Sequence, residues 1–353
     1  MSERSAIEWT DSTFNPWIGC TKVSPACDHC YAERDMSKRL KVVQWGAGQP
    51  RKRTSAANWK LPKRWNNTPF AQCGDCGWRG EVPKTDAGSR GACPACDEGA
   101  LVSARRRVFC ASLADWLDNE VPIEWFVDLL DLIRRTPKLD WLLLTKRIGN
   151  WQSRLNRAHA SENVEGDLAA WIFDWMNGTP PPHVWIGATV INQAEADRDI
   201  PRLLRVPTRV RFLSIEPMLG PVDLNAVRYM QGSALTVGDE GGHEYTGSAR
   251  QMLHWIICGG ESGPHARPMH PDWVRSLRDQ CAAAGVPWLF KQWGEWAPQT
   301  IDDMQGSAID SRTQAALLPD GSRGGIGCTV MNHVGKKAAG RVLDGSKHSE
   351  FPD

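Results

Sequence analysis

The chain has 353 residues, enough for one large α/β domain or for one domain carrying a small insert. Lys plus Arg number 42 and Asp plus Glu 41, a net charge of +1, so composition gives no support to a strongly basic nucleic-acid binder, although it leaves room for a local basic groove. The polar start MSERSAIEWTDS has no apolar signal-peptide core, and no run of roughly eighteen apolar residues occurs, so the expected place is the cytoplasm, with no membrane partner.

Strand-length apolar runs punctuate the chain, each ending in polar or small residues: WIGC (17–20), VFCAS (108–112), DWLLLTK (140–146), HVWIGATV (183–190), RVRFLSIEP (209–217), HWIICGGE (254–261) and PWLFKQ (287–292). Helical patterns lie between several of them. In PIEWFVDLLDLIRRT (122–136), Ile123, Phe126, Leu129, Leu130 and Ile133 recur at helical spacing, and Pro122 suits a first turn. NQAEADRDIPRLLR (192–205) is a second helix that Pro201 is expected to divide or end. HPDWVRSLRDQCAAAG (270–285) reads as a helix stopped at Gly285.

Strand alternating with helix implies parallel strands joined by crossovers. The expected fold is α/β, a partial or complete TIM-like barrel of about six to seven parallel strands, with its chemistry at their C-terminal ends. At or just beyond those ends stand Cys20, Asp115, Lys146, Thr189, Glu216 and Gly259-Gly260-Glu261. Residues 1–69 start the barrel, 70–103 form an insert, 104–296 complete the barrel, and 297–353 form a Gly-rich closing segment of hairpins and loops. His183 and His254, at strand starts, lie at the wrong edge for catalysis and read as structural.

Eleven cysteines in a chain without a secretion signal point to metal or redox chemistry. The insert carries Cys73-x2-Cys76, sixteen residues, then Cys93-x2-Cys96. Two CxxC knuckles at this separation fit a zinc held by four thiolates, with Gly74, Gly77 and Pro94 serving the tight turns. Its minimum role is to staple a segment too small for its own core. Arg79, Lys84, Arg90, Arg105, Arg106 and Arg107 allow a nucleic-acid or partner contact as well. Cys110, Cys258, Cys281 and Cys328 have no partners at ligand spacing and read as buried or incidental thiols.

NPWIGCTKVSPACDHCYA (15–32) gathers Cys20, Cys27 and Cys30 with no nearby fourth cysteine. Three thiolates leave one coordination position open, as catalysis requires. They suit three irons of a [4Fe–4S] cluster, a zinc completed by a distant His or by Cys110, or a redox pair at Cys27 and Cys30. Spacing alone leaves these open.

The chain resembles the phage gene-product 37/68 family, a radical-SAM-like group, with a more distant likeness to spore photoproduct lyase. The resemblance runs through IEWTDSTFNPWIGC, LLLTKR (142–147), WIGATV (185–190), FLSIEPMLGP (212–221), IICGGESG (256–263), FKQWG (290–294) and KKAAGRVLDG. The loop departs from the usual radical-SAM spacing: six residues, not three, separate its first two cysteines, and His29 precedes the last cysteine with Tyr31 after it. The GGE triplet is also displaced from the second strand to about the sixth.

The resemblance implies a [4Fe–4S] cluster on Cys20, Cys27 and Cys30. It implies S-adenosylmethionine (SAM) on the open iron, a 5′-deoxyadenosyl radical, and a flavodoxin or ferredoxin as electron donor. Lys146 would pair with the SAM carboxylate and Glu216 would accept from ribose hydroxyls or the amino group. Asp115 or Asp118 would take the role of the displaced acid, beside Glu261, and Gly259 and Gly260 would let the backbone approach the ligand. A plainer reading stands beside each: a solvated lysine, a turn cap, an ordinary turn. The substrate expected is a nucleotide or modified DNA base, hypermodified thymidine among them, in the host cytoplasm if the chain is phage-encoded. Some of the 18 tryptophans would then stack on a base, most serving packing. The alternative is a non-catalytic zinc-binding adaptor or nucleic-acid-binding protein. A zinc-dependent hydrolase or deaminase ranks last, because the only His-x-Glu, His348-Ser349-Glu350, lies in the tail in the wrong order for the deaminase pattern.

Overall fold

The computed structural model describes residues 3–82, 92–227, 252–299, 313–324 and 327–352. Seven parallel strands form one sheet in chain order: β1 (Ser12–Phe14), β2 (Arg106–Cys110), β3 (Leu139–Thr145), β4 (Val184–Thr189), β5 (Val210–Ile215), β6 (Trp255–Gly259) and β7 (Trp288–Gln292). β1 and β7 stand at the two ends of the order, so the sheet is a half-barrel. The helices α1 (Ala56–Asn67), α2 (Ile123–Arg134), α3 (Trp151–His159), α4 (Gly166–Met176), α5 (Gln193–Leu204) and α6 (Pro271–Ala284) lie in the crossovers.

Two expectations are corrected. The first barrel strand is Ser12–Phe14, and the WIGC run contributes only Trp17–Ile18, paired antiparallel with Lys52–Arg53. The polar letters of β1 hid it: Ser12 is fully buried because its hydroxyl donates to the Glu3 carbonyl (2.7 Å), while Phe14 packs edge-on against Trp59 and Trp141. Pro201 neither divides nor ends α5, which runs through it to Leu204. The carbonyl that loses its N–H partner there belongs to Asp197, an exposed residue whose backbone water can reach. α6 does stop at Gly285, which adopts φ +65°, and the His270 ring caps its start by accepting from the Asp272 N–H (3.1 Å).

Side chains alternate across the sheet. Outward residues such as Val108, Trp141, Ile186 and Leu213 meet the helices in the larger core. Inward residues form a second core of Trp9, Phe109, Leu142, Trp185, Phe212, Trp255 and Leu289. Part of the tryptophan excess therefore fills the half-barrel itself. Gly187 is part of this fit, since a Cβ there would stand 2.4 Å from the Phe212 ring.

The end of the chain returns to β7. The Phe290 N–H donates to the His348 carbonyl (3.1 Å) and the Glu350 N–H to the Trp288 carbonyl (3.3 Å), covering an otherwise open strand edge. Phe351 packs against Trp255 and beneath Arg107. Before this, Trp296–Pro298, Gln314–Leu317 and Thr329–His333 form a small antiparallel sheet. No helix among the described residues is long and apolar enough to cross a membrane.

Burial holds His183, His254, His270 and His348 below the usual imidazole pKa. His183 is buried, with Nε2 2.9 Å from the Ile133 carbonyl and Nδ1 without a partner. The unfolded chain takes up these protons near pH 6.5 while the folded chain resists them, so this stability is complete above about pH 6.5 and lost as pH falls. The expected melting temperature is flat from pH 8 to 7 and declines towards pH 5. His183→Gln, which still donates to Ile133 but cannot titrate, should decline less steeply. An unchanged slope would remove His183 from the account.

Candidate functional site

The insert gathers four cysteines that could hold a metal ion. Phe70–Cys73, Arg79–Glu81 and Leu101–Ser103 form a three-stranded antiparallel sheet that carries two cysteine knuckles. The sulfurs of Cys73, Cys76, Cys93 and Cys96 all lie within 4.8 Å of one another, with Cys73–Cys96 at 3.8 Å and Cys76–Cys93 at 3.6 Å. A metal–sulfur bond of about 2.3 Å in a tetrahedron gives sulfur separations of about 3.8 Å, so these four residues fit a metal ion such as zinc. Gly77 turns the first knuckle at φ +72°, and a Cβ on Gly99 would overlap the Cys73 sulfur. The Cys76 backbone N–H holds the Cys73 thiol down to about 7, towards the thiolate that a metal needs.

The basic residues near this centre face the half-barrel. Arg79 grips Asp11 (3.0 Å) and the Arg105 carbonyl (2.6 Å); Arg106 pairs with Glu81 (2.6 Å) and covers Trp65 and Phe70. Arg105 lies 3.7 Å from Asp140, and Arg107 stacks on Phe351. Lys84 and Arg90 lie outside the described residues.

The second site is a cavity of about 790 Å³ at the C-terminal ends of the strands. Its wall includes Cys20, Cys27 and Cys30, and also Asp115, Lys146, Thr189, Glu216, Gly260 and Glu261. Residues from a loop near the start and from five later segments thus meet at one sheet edge. Among the described residues the group placed to hold a metal ion as it stands is the insert's four cysteines, not these three. Three thiolates at a cavity wall suit a tetrahedral ion completed by a fourth ligand or an iron–sulfur cluster. Burial pushes the Cys20 thiol up to about 12 against the opposing pull of Arg147, so as a bare thiol it keeps its proton, and a metal would displace it.

The cysteine loop is pinned from several sides. Arg147 donates to the Cys20 sulfur (3.3 Å) and the Thr21 carbonyl (2.6 Å). The Ser24 hydroxyl donates to Glu195 on α5 (2.6 Å), and the Tyr31 hydroxyl to the Ser112 carbonyl beyond β2 (2.5 Å). Glu261 makes the strongest clamp: Oε2 meets His29 Nδ1 at 3.0 Å and accepts from Arg267 Nε (2.9 Å) and the Arg267 backbone N–H (2.8 Å). Arg267 reaches on to the Pro25 carbonyl (2.8 Å) and Asp28 (3.2 Å). Burial alone would raise the Glu261 pKa, but the bonds from Arg267 and His29 outweigh it and hold the carboxylate charged.

The remaining acids differ in what they leave free. Asp115 accepts from the Thr145 hydroxyl (2.7 Å), the Leu117 N–H (3.0 Å), the Lys146 N–H (2.9 Å) and Arg147 (3.1 Å), which fills the roughly four acceptor positions of a carboxylate. Asp118 is buried against Arg51 (2.8 Å), away from the cavity wall. Glu216 pairs with Lys291 on β7 (3.0 Å). A Cβ on Gly259 would press the Glu216 carboxylate, and one on Gly260 would strike the Trp293 carbonyl, so the tight approach at Gly260 is to protein backbone. Sequence reading missed Arg147, Ser214, Arg267 and Lys291. Ser214 and Lys291 were signalled by alternation, being on the inward face of strands already recognised; Arg267 sits in a loop with no periodicity to mark it.

The fold and cavity define an α/β half-barrel with a ligand-sized site at the C-terminal strand edge and a separate four-cysteine centre. The family described as "Protein of unknown function (DUF5131)" matches residues 4–352, and the chain belongs to that family. No curated protein and no solved structure matches the chain.

Proposed function

We propose that the chain is a radical-SAM-like enzyme holding a [4Fe–4S] cluster on Cys20, Cys27 and Cys30, with SAM in the adjoining cavity. One observation carries this reading: three thiols from one short loop, Cys20, Cys27 and Cys30, share the wall of a cavity large enough for an organic ligand. When bound, the cluster would supply the electron that cleaves SAM, generating a radical for hydrogen abstraction. The chain's own residues would hold and orient. Arg147 supports Cys20, the Glu261–Arg267 clamp fixes the loop around Cys27, and Glu216, steadied by Lys291, offers an acceptor to ligand hydroxyls. Tyr31 and Trp45 on the cavity wall provide faces on which a base can stack, which favours a nucleotide or modified base, hypermodified thymidine among them, as substrate. A flavodoxin or ferredoxin would be the electron donor.

The test is metal content after anaerobic purification and cluster reconstitution. About four irons and one zinc per chain are expected, with iron lost and zinc kept when Cys20, Cys27 and Cys30 are all changed to Ala. Reduced protein should then convert SAM to 5′-deoxyadenosine. Zinc alone after reconstitution would sink this reading and leave a non-catalytic zinc-binding adaptor.

A further inference from the structure

One level of the inner face differs from the apolar levels beneath it. Thr145 pairs with Ala188, and Thr189 with Ser214, so Thr189 on β4 and Ser214 on β5 stand side by side, with Lys146, the residue just past β3, next in line. Neighbouring strands lie about 4.8 Å apart, close enough for adjacent side chains to share one ligand group. All three residues line the cavity.

Each has donor capacity to spare. Thr189 is 2% exposed, and its hydroxyl is buried with no hydrogen-bond partner. Ser214 is 3% exposed, and its hydroxyl makes only a long 3.5 Å contact with Glu216. The Lys146 backbone is held by Asp115, but among the described residues its ammonium has no acceptor. A buried hydroxyl without a partner is costly and calls for an explanation at a ligand site. Two carboxylates stand by: Asp115, which holds the Lys146 backbone, pairs with Arg147, and Glu216, just past β5, pairs with Lys291, so neither is given to the Lys146 ammonium.

We infer that Lys146, Thr189 and Ser214 form a seat for an oxyanion, a carboxylate or a phosphate. A cation flanked by two hydroxyl donors suits two or three oxygens on one centre, and suits neither a cation nor an apolar group. The seat stands on the cavity geometry; that its occupant is the SAM carboxylate or the phosphate of a nucleotide substrate rests on the proposed function.

The experiment is titration calorimetry on the full chain as purified, its metals counted, in two matched pairs: thymidine monophosphate against thymidine, and SAM against decarboxylated SAM. One pair should favour its anionic member by about tenfold or more, the value of a hydrogen bond to a charged group. A preference for the monophosphate assigns the seat to substrate, and a preference for SAM assigns it to the SAM carboxylate. Thr189→Val, which removes only the hydroxyl, should weaken the preferred anion about tenfold while melting no lower than the wild type; Lys146→Met should weaken it at least as much. Absence of preference in both pairs, or unchanged affinity in Thr189→Val, overturns the seat. A chain that stays iron-free after anaerobic reconstitution and keeps the preference would sink the radical reading and retain the seat, whereas an iron-loaded chain without it would do the reverse.

Discussion

Cys73→Ser, or dialysis against a strong chelator, should remove about one equivalent of zinc and unfold the insert while the half-barrel keeps its main melting transition. The apolar cluster of the insert consists of Ala71, Cys73, Cys93 and Leu101, with Trp78, Val82 and Cys96 packed against it. Two of its four central members are metal-ligand candidates, so little remains to order the segment without the ion. Structural zinc in small domains contributes roughly 10–16 kcal/mol of apparent binding energy at neutral pH, most of it folding energy. The half-barrel has two cores of its own and does not depend on this centre. Hydrogen exchange and limited proteolysis check the prediction: protection should vanish over residues 70–82 and 92–103 only. Retained protection after metal removal would mean that the Arg79–Asp11 anchor, not the metal, orders the insert.

Asp115→Ala should be the most damaging single change near the cavity, at a cost of roughly 3–5 kcal/mol, the usual penalty for stranding one member of a buried ion pair. Asp115 is 5% exposed and the Arg147 side chain 9%. Without the carboxylate, a buried guanidinium loses its counter-charge, and the Thr145 hydroxyl and two backbone N–H groups lose their acceptor. Asp115→Asn keeps the shape and should cost less. Asp115→Ala combined with Arg147→Ala should recover part of the loss, because the stranded charge goes with it. Urea unfolding measures all four forms. A change within about 0.5 kcal/mol for Asp115→Ala, the range of ordinary surface substitutions, would deny it this role.

For Cys73 the sequence shows both position and partners, through the two CxxC knuckles; for Asp115 it shows the position but not the partners. Asp115 follows the second strand, and the alternation of apolar runs placed it at the C-terminal edge beside Lys146 and Glu216. Its four donors come from residues 117, 145, 146 and 147, and only the folded sheet shows that these fill its acceptor capacity. Glu261 is the sharper case. The sequence marks it as part of a GGE triplet at a strand end, yet its His29 partner is 232 residues away. The structure turns it towards the cysteine loop, where Arg267 occupies both of its oxygens.

The sequence by itself determined what depends on short-range order. Strand-length runs, helix patterns and the caps at Pro122 and Gly285 report local backbone preference. The two CxxC knuckles report a ligand spacing that few other arrangements share. Tertiary structure alone decided what depends on closure. It made Ser12–Phe14 a buried strand despite its polar letters, because Phe14 and the Ser12 hydroxyl find partners elsewhere. It let α5 pass through Pro201, because the carbonyl left over faces water. It set Lys146, Thr189 and Ser214 shoulder to shoulder, because parallel pairing fixes register between strands that the sequence separates by whole crossovers. Periodicity tells which face a residue takes; only the packed sheet tells what stands opposite it.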